Sequence, residues 1–165
     1  MNIFVLDENP IEAARLQCDM LVTKMILESA QMLSTAHRLI DGDNNVDSSL
    51  YKSTHKNHPC SIWCRETSGN YEWLYNHFIA LCDEYIYRYN KRHLTDTKFR
   101  DALSKLPKAI KKADRTQFVT VMTTIDPSCI DPDNPVEAYR VYYQSKRSKF
   151  VMKWTKREIP QWFYE

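Results

Sequence analysis

Between Ile11 and about Arg38 the apolar residues return every three or four positions, at Cys18, Leu21, Val22, Met25, Ile26, Met32, Leu33 and Ala36. That period gathers them onto one stripe of an α-helix, whereas a strand would need alternation every second residue. Asn9-Pro10 with Glu12 marks the start: a capping amide, a proline whose missing N–H costs nothing in the first turn, and an early acid. At about 1.5 Å per residue such a helix runs roughly 40 Å, enough for the spine of a domain. A second stripe, Trp73, Leu74, His77, Phe78, Leu81, Cys82, Tyr85 and Tyr89, predicts a helix from Ser68-Gly69-Asn70 to about Arg92. A third begins at Thr95 or Asp96, carries Phe99, Ala102, Leu103 and Leu106, and stops at Pro107. Asn134-Pro135-x-Glu137 repeats the first start signal.

Glycine restricts the remainder. Only 2 occur in 165 residues, which disfavours glycine-dependent hairpins and phosphate loops. The expectation is therefore a mainly α, compact single-domain helical fold over residues 1–165, with a long N-terminal helix. Residues 41–50 and 131–135 read as loops, and the opening NIFVL is too short to assign. The segment from Lys108 to Ile125, with FVTVMTTI, reads equally as a strand or a helix-packed run.

No apolar run reaches the ~20 residues of a membrane span, and MNIFVLDENP lacks the basic and apolar regions of a signal peptide. The 5 cysteines are odd in number and follow no framework spacing, which favours free thiols in a cytoplasm. The net charge of +2 conceals an asymmetry. Residues 1–50 hold 8 acids against 3 bases, and residues 139–165 hold 7 bases against 2 acids. That split suggests either a basic face for a polyanion or a tail that pairs with the acidic half.

Three groups of side chains could carry chemistry. Lys24, Glu28 and Gln31 share one face of the first helix at i, i+4 and i+7. The bland reading is a solvated ion pair. The functional one makes Glu28 a base or a stabiliser of a cation and Lys24 an amine nucleophile, with His37 two to three turns on reaching the same opening. The second group is THKNHPCSIWCR, where His55, His58, Cys60 and Cys64 offer ligand chemistry for zinc. Their spacing matches no standard zinc pattern, so no metal and no cofactor is expected. The first reading is instead a ligand-facing loop, in which Trp63 packs inward and His55, Lys56, His58 and Arg65 hold substrate or phosphate oxygens; a purely structural loop is the second.

The C-terminal YRVYYQSKRSKFVMKWTKREIPQWFYE interleaves 8 aromatics with 7 bases. Rings stack on nucleobases while lysine and arginine follow phosphates, so Arg140, Tyr142, Lys146, Arg147, Lys149, Lys153, Trp154, Lys156 and Arg157 form a candidate nucleic-acid surface. The competing reading packs the rings on the helices and leaves the bases as a rim. No Walker, GxGxxG, GxSxG or HExxH motif is present.

The stretches MNIFVLDENP, KMILESAQMLSTAHR, THKNHPCSIW and KWTKREIPQWF resemble a family of small tailed-bacteriophage proteins, over most of the chain. That resemblance implies action in a host cytoplasm on nucleic acid or its precursors. The chain is also similar to the pyrimidine-dimer DNA glycosylase/AP lyase family of the endonuclease V type. This second resemblance implies a small, mainly helical protein whose long first helix bears a catalytic glutamate, matched here by Glu28. YRVYYQSK is similar to that family's aromatic and basic tail. In the family an α-amino group attacks the sugar carbon and forms an imine. Here Asn2 departs from the small processed residue, which leaves Met1 or Lys24 as the amine. The expectation is a DNA-acting enzyme that works on a pyrimidine base or its glycosidic bond. The alternatives are a non-catalytic binder of nucleic acid or host protein and a soluble-nucleotide-binding protein.

Overall fold

A computed structural model describes residues 1–121, 131 and 133–164. Among these residues the fold is all-α, with six α-helices and no strand. They are α1 (Pro10–Arg15), α2 (Asp19–Asp41), α3 (Pro59–Glu66), α4 (Ser68–Tyr89), α5 (Leu94–Phe99) and α6 (Pro135–Ser145). α2 and α4 form the centre, α1 packs on α4, and α3 fills the groove between α2 and α4. The part of FVTVMTTI beyond Val121, together with Cys129, lies outside the described residues.

The helix expected over residues 11–38 is two helices. The chain breaks at Leu16–Cys18, where Cys18 is extended. The freed polar groups find tertiary partners: Arg88 donates to the carbonyls of Arg15 and Gln17, Trp154 Nε1 donates to that of Leu16, and the Cys18 N–H donates to the Tyr143 hydroxyl. Apolar spacing persists across such a break, so periodicity alone could not reveal it. The Arg88 side chain is fully buried and also pairs with Glu84 and Asp19, and Glu84 in turn holds Arg157. Of the basic tail, Arg140 pairs with Asp7 of the acidic half at 3.8 Å, whereas Arg157 pairs with Glu84 outside that half.

α3 has no counterpart among the expected helices. Pro59 occupies its first position, where proline is tolerated, and His58 caps it by accepting the Cys60 N–H on Nδ1 at 3.2 Å. The loop after Leu50 therefore ends at His58 rather than running on to the next helix. The third expected helix also stops early, at Phe99, with a separate 3₁₀ turn at Ala102–Ser104.

Two non-helical segments complete the core. Residues 3–6 thread through the interior with Ile3, Phe4, Val5 and Leu6 all buried. The segment 111–118 crosses the start of α4. There Ser68 N–H and Gly69 N–H donate to the carbonyls of Lys111 and Ala113, and Asn70 exchanges hydrogen bonds with Thr116. Gly69 is required at this crossing, because a Cβ would stand 2.3 Å from the Arg115 nitrogen.

Candidate active site

The buried N-terminal segment brings the α-amino group of Met1 to the middle of α2. Asn2 tightens that approach: its Oδ1 accepts the N–H groups of both Ile3 and Phe4 at 2.8 Å. Phe4 sits in the left-handed region at φ 41°, a strained conformation for a bulky residue. It is held there by edge contacts with Tyr139 and Tyr143 and by stacking on Tyr142. Backbone strain of this kind is retained when surrounding packing over-determines it, and it clusters at functional sites.

The Met1 ammonium lies 3.7 Å from Glu28 Oε2, and Lys24 Nζ lies 3.5 Å from Oε1. Side-chain exposure is 2% for Met1 and 14% for Glu28, against 62% for Lys24. One carboxylate thus holds the chain's α-amine on one oxygen and a solvated lysine amine on the other.

These groups line a cavity of about 410 Å³. α2 contributes Lys24 and Glu28, the loop before α3 contributes His58, the stretch just after the crossing segment contributes Val119–Val121, and the C-terminal part Tyr142 and Lys146. Lys146 Nζ rests 4.2 Å from the Tyr142 ring centroid and 5.3 Å from that of Phe4, a cation–π arrangement. Burial lowers its pKa, with repulsion from Lys149 and Lys24 adding to the effect. Burial likewise lowers the pKa of His58, helped by the Met1 ammonium and by His55 and opposed by Glu28. Positive groups outnumber the single carboxylate, so the cavity suits an electron-rich or anionic occupant. Chemically, an amine beside a carboxylate can add to an electrophilic carbon while the carboxylate moves the proton.

The structure separates the other candidates. His37 faces away from this cavity. It is buried on α2, shares a 2.8 Å hydrogen bond with the Tyr71 hydroxyl, and lines a different cleft with Asp41 and Lys105. Two to three turns along a helix carry a side chain too far from Glu28 for both to meet one ligand. His55 and Lys56 are exposed in the preceding loop, with His55 left-handed at φ 47°. Trp63 is in the core, its Nε1 donating to the Gln117 carbonyl, and Arg65 lies in the last turn of α3. Cys60 and Cys64 are buried, and no group of three or more metal-binding side chains occurs among the described residues.

In the tail, Trp154 is buried and bonded to Leu16. Arg140 donates to the Leu6 carbonyl, Lys156 to the Tyr87 carbonyl, Arg157 to Glu84, and Arg147 lies over Phe163. Lys149 and Lys153 are exposed, and neither makes an ion pair among the described residues. Asn2, Phe4 and Val119–Val121 line the site without any sequence motif to mark them. The only signal for the first two is the apolar NIFVL run, which announces burial but not what it is buried beside.

The family model for pyrimidine dimer DNA glycosylase matches residues 1–97 of this chain. No curated protein and no solved structure matches it. The matched region contains Met1, Lys24, Glu28 and His58, whereas Val119–Val121, Tyr142 and Lys146 lie beyond it.

Proposed function

The chain belongs to the pyrimidine dimer DNA glycosylase family, and from that premise we propose that it cleaves the glycosidic bond of damaged pyrimidines in DNA through an imine at Met1. The observation that carries this reading is the Met1 α-amine 3.7 Å from Glu28 in the wall of the cavity. Once the Met1 ammonium has lost one proton to water, the neutral amine attacks the sugar C1′ and expels the base. The nitrogen then gives one proton to Glu28, which passes it to the opening ring oxygen and leaves the imine. Loss of a C2′ proton to a base then forms a C2′–C3′ double bond and expels the 3′ phosphate, which breaks the strand.

Met1 is the better nucleophile of the two amines beside Glu28. Its nitrogen is fixed by the buried segment of residues 3–6, whereas Lys24 ends a flexible, solvated side chain. Lys24 then steadies the carboxylate or a phosphate. Lys149 and Lys153 supply exposed charge for the DNA backbone.

The test is strand cleavage and borohydride trapping on DNA that contains pyrimidine dimers, with Glu28→Gln for comparison. The amide keeps the shape of the carboxylate but cannot accept the proton, so cleavage should fall by about 10²–10⁴-fold. Neither adduct nor cleavage from the unaltered protein would remove the lyase reading and leave a non-catalytic binder. Equal activity in Glu28→Gln would remove the role given to that carboxylate.

A further inference from the structure

His58 performs two tasks with its two ring nitrogens, and only one of them is structural. Nδ1 accepts the N–H of Cys60 at 3.2 Å and caps α3. In a neutral imidazole the nitrogen that accepts leaves the proton on the other, so the cap fixes the tautomer with hydrogen on Nε2. The ring is half-buried in the wall of the cavity that holds Met1 and Glu28. The charged or titratable groups that act on it are the Met1 ammonium, His55 and Glu28, and Lys24 and Lys146 share the cavity. Three cations around one carboxylate leave no electrostatic reason for a fourth, and burial opposes it further. The cap and the surroundings therefore agree on a neutral N–H donor.

Building on the glycosylase reading, we propose that His58 Nε2–H hydrogen-bonds the pyrimidine O2 and stabilises the negative charge that gathers there as the base departs. The Met1 amine attacks C1′, and the pyrimidine O2 is attached next to the ring nitrogen bonded to that carbon. The donor belongs to the wall of the same cavity as the attacking amine. The electron balance is closed. The N–C1′ bond forms from the amine lone pair, and the C1′–N1 pair moves into the pyrimidine ring and is shared with O2. The amine proton goes through Glu28 to the sugar ring oxygen, and the base anion takes its proton from water. His58 transfers none; it acts as a fixed dipole toward developing charge, a contribution whose loss commonly costs 10²–10³-fold. This differs from holding a phosphate, which would matter equally after the base has gone.

His58→Asn separates the two tasks. Asparagine is a preferred helix cap, so α3 keeps its start while the distal donor disappears. Two single-turnover rates are then read on the same preparation: glycosidic cleavage in pyrimidine-dimer DNA, and borohydride-trapped adduct on DNA with a preformed abasic site. The proposal expects the first to fall about a hundredfold and the second to proceed at the native rate, which also shows that the variant is folded. Equal loss in both assays, or no loss in either, overturns it. Failure of the unaltered protein in both assays would instead overturn the glycosylase reading beneath it.

Discussion

Acid should weaken this fold through a single ring at the heart of α4. His77 is fully buried and stacks on Trp73 with ring centroids 5.1 Å apart. Its Nδ1 lies 2.9 Å from the Pro10 carbonyl, which can only accept, so that nitrogen carries the proton. Nε2 is then the acceptor for the Gln17 amide at 3.1 Å. Both nitrogens are committed in the neutral form, and burial lowers the pKa from 6.5 to about 4. Between those values the unfolded chain binds a proton that the folded one refuses. Stability from this source is complete above the unfolded pKa and is lost as pH falls toward the folded one. Over 6.5 to about 4 the loss is about 3 kcal/mol, at about 1.4 kcal/mol per unit. His77→Asn keeps a donor for Pro10 and removes the titration, at a cost in ring packing that does not vary with pH. Urea unfolding of both proteins across this range isolates the ring, because every other titrating group is common to both. The difference in stability between them should shrink by about 3 kcal/mol between neutral pH and pH of about 4. A difference that stays constant would refute the reasoning.

Further outcomes are expected elsewhere in the molecule. Gly69→Ala places a Cβ 2.3 Å from the Arg115 nitrogen, so urea unfolding should show a loss of about 1–3 kcal/mol, and KM for DNA should rise as the Val119–Val121 wall shifts. Reversing the exposed Lys149 and Lys153 to glutamate should weaken DNA binding and flatten its salt dependence by about one unit for each phosphate no longer neutralised; an unchanged slope would place the DNA elsewhere. Burial pushes the Cys60 thiol up to about 12 and raises those of Cys64 and Cys82 as well. Iodoacetamide at neutral pH should therefore leave all three unlabelled until the protein unfolds, as peptide mapping would report.

Helical spacing makes the two central helices legible, because an apolar period near 3.6 residues matches a helix face and mismatches a strand. The same spacing puts Lys24 and Glu28 on one face. The break at Leu16–Cys18 is invisible in sequence, since its stabilising partners, Arg88, Trp154 and Tyr143, lie about 70 to 140 residues away. Proline at 59 carries the start of α3, but the histidine before it offers ligand chemistry and capping chemistry alike. In the fold His58 combines the cap with a place in the cavity wall. The tail is legible as basic and aromatic, yet composition does not say which rings face inward; Trp154 does, and Tyr142 lines the cavity. Nor does local sequence place Met1 beside Glu28, for that meeting depends on a buried segment threading between helices.

The most direct measurement is the identity of the amine that becomes attached to DNA. The unaltered protein would be incubated with abasic-site DNA, reduced with borohydride and digested, and the cross-linked peptide sequenced by mass spectrometry. The account predicts an adduct on the α-nitrogen of Met1. An adduct on Lys24 or Lys146, or none at all, would contradict it.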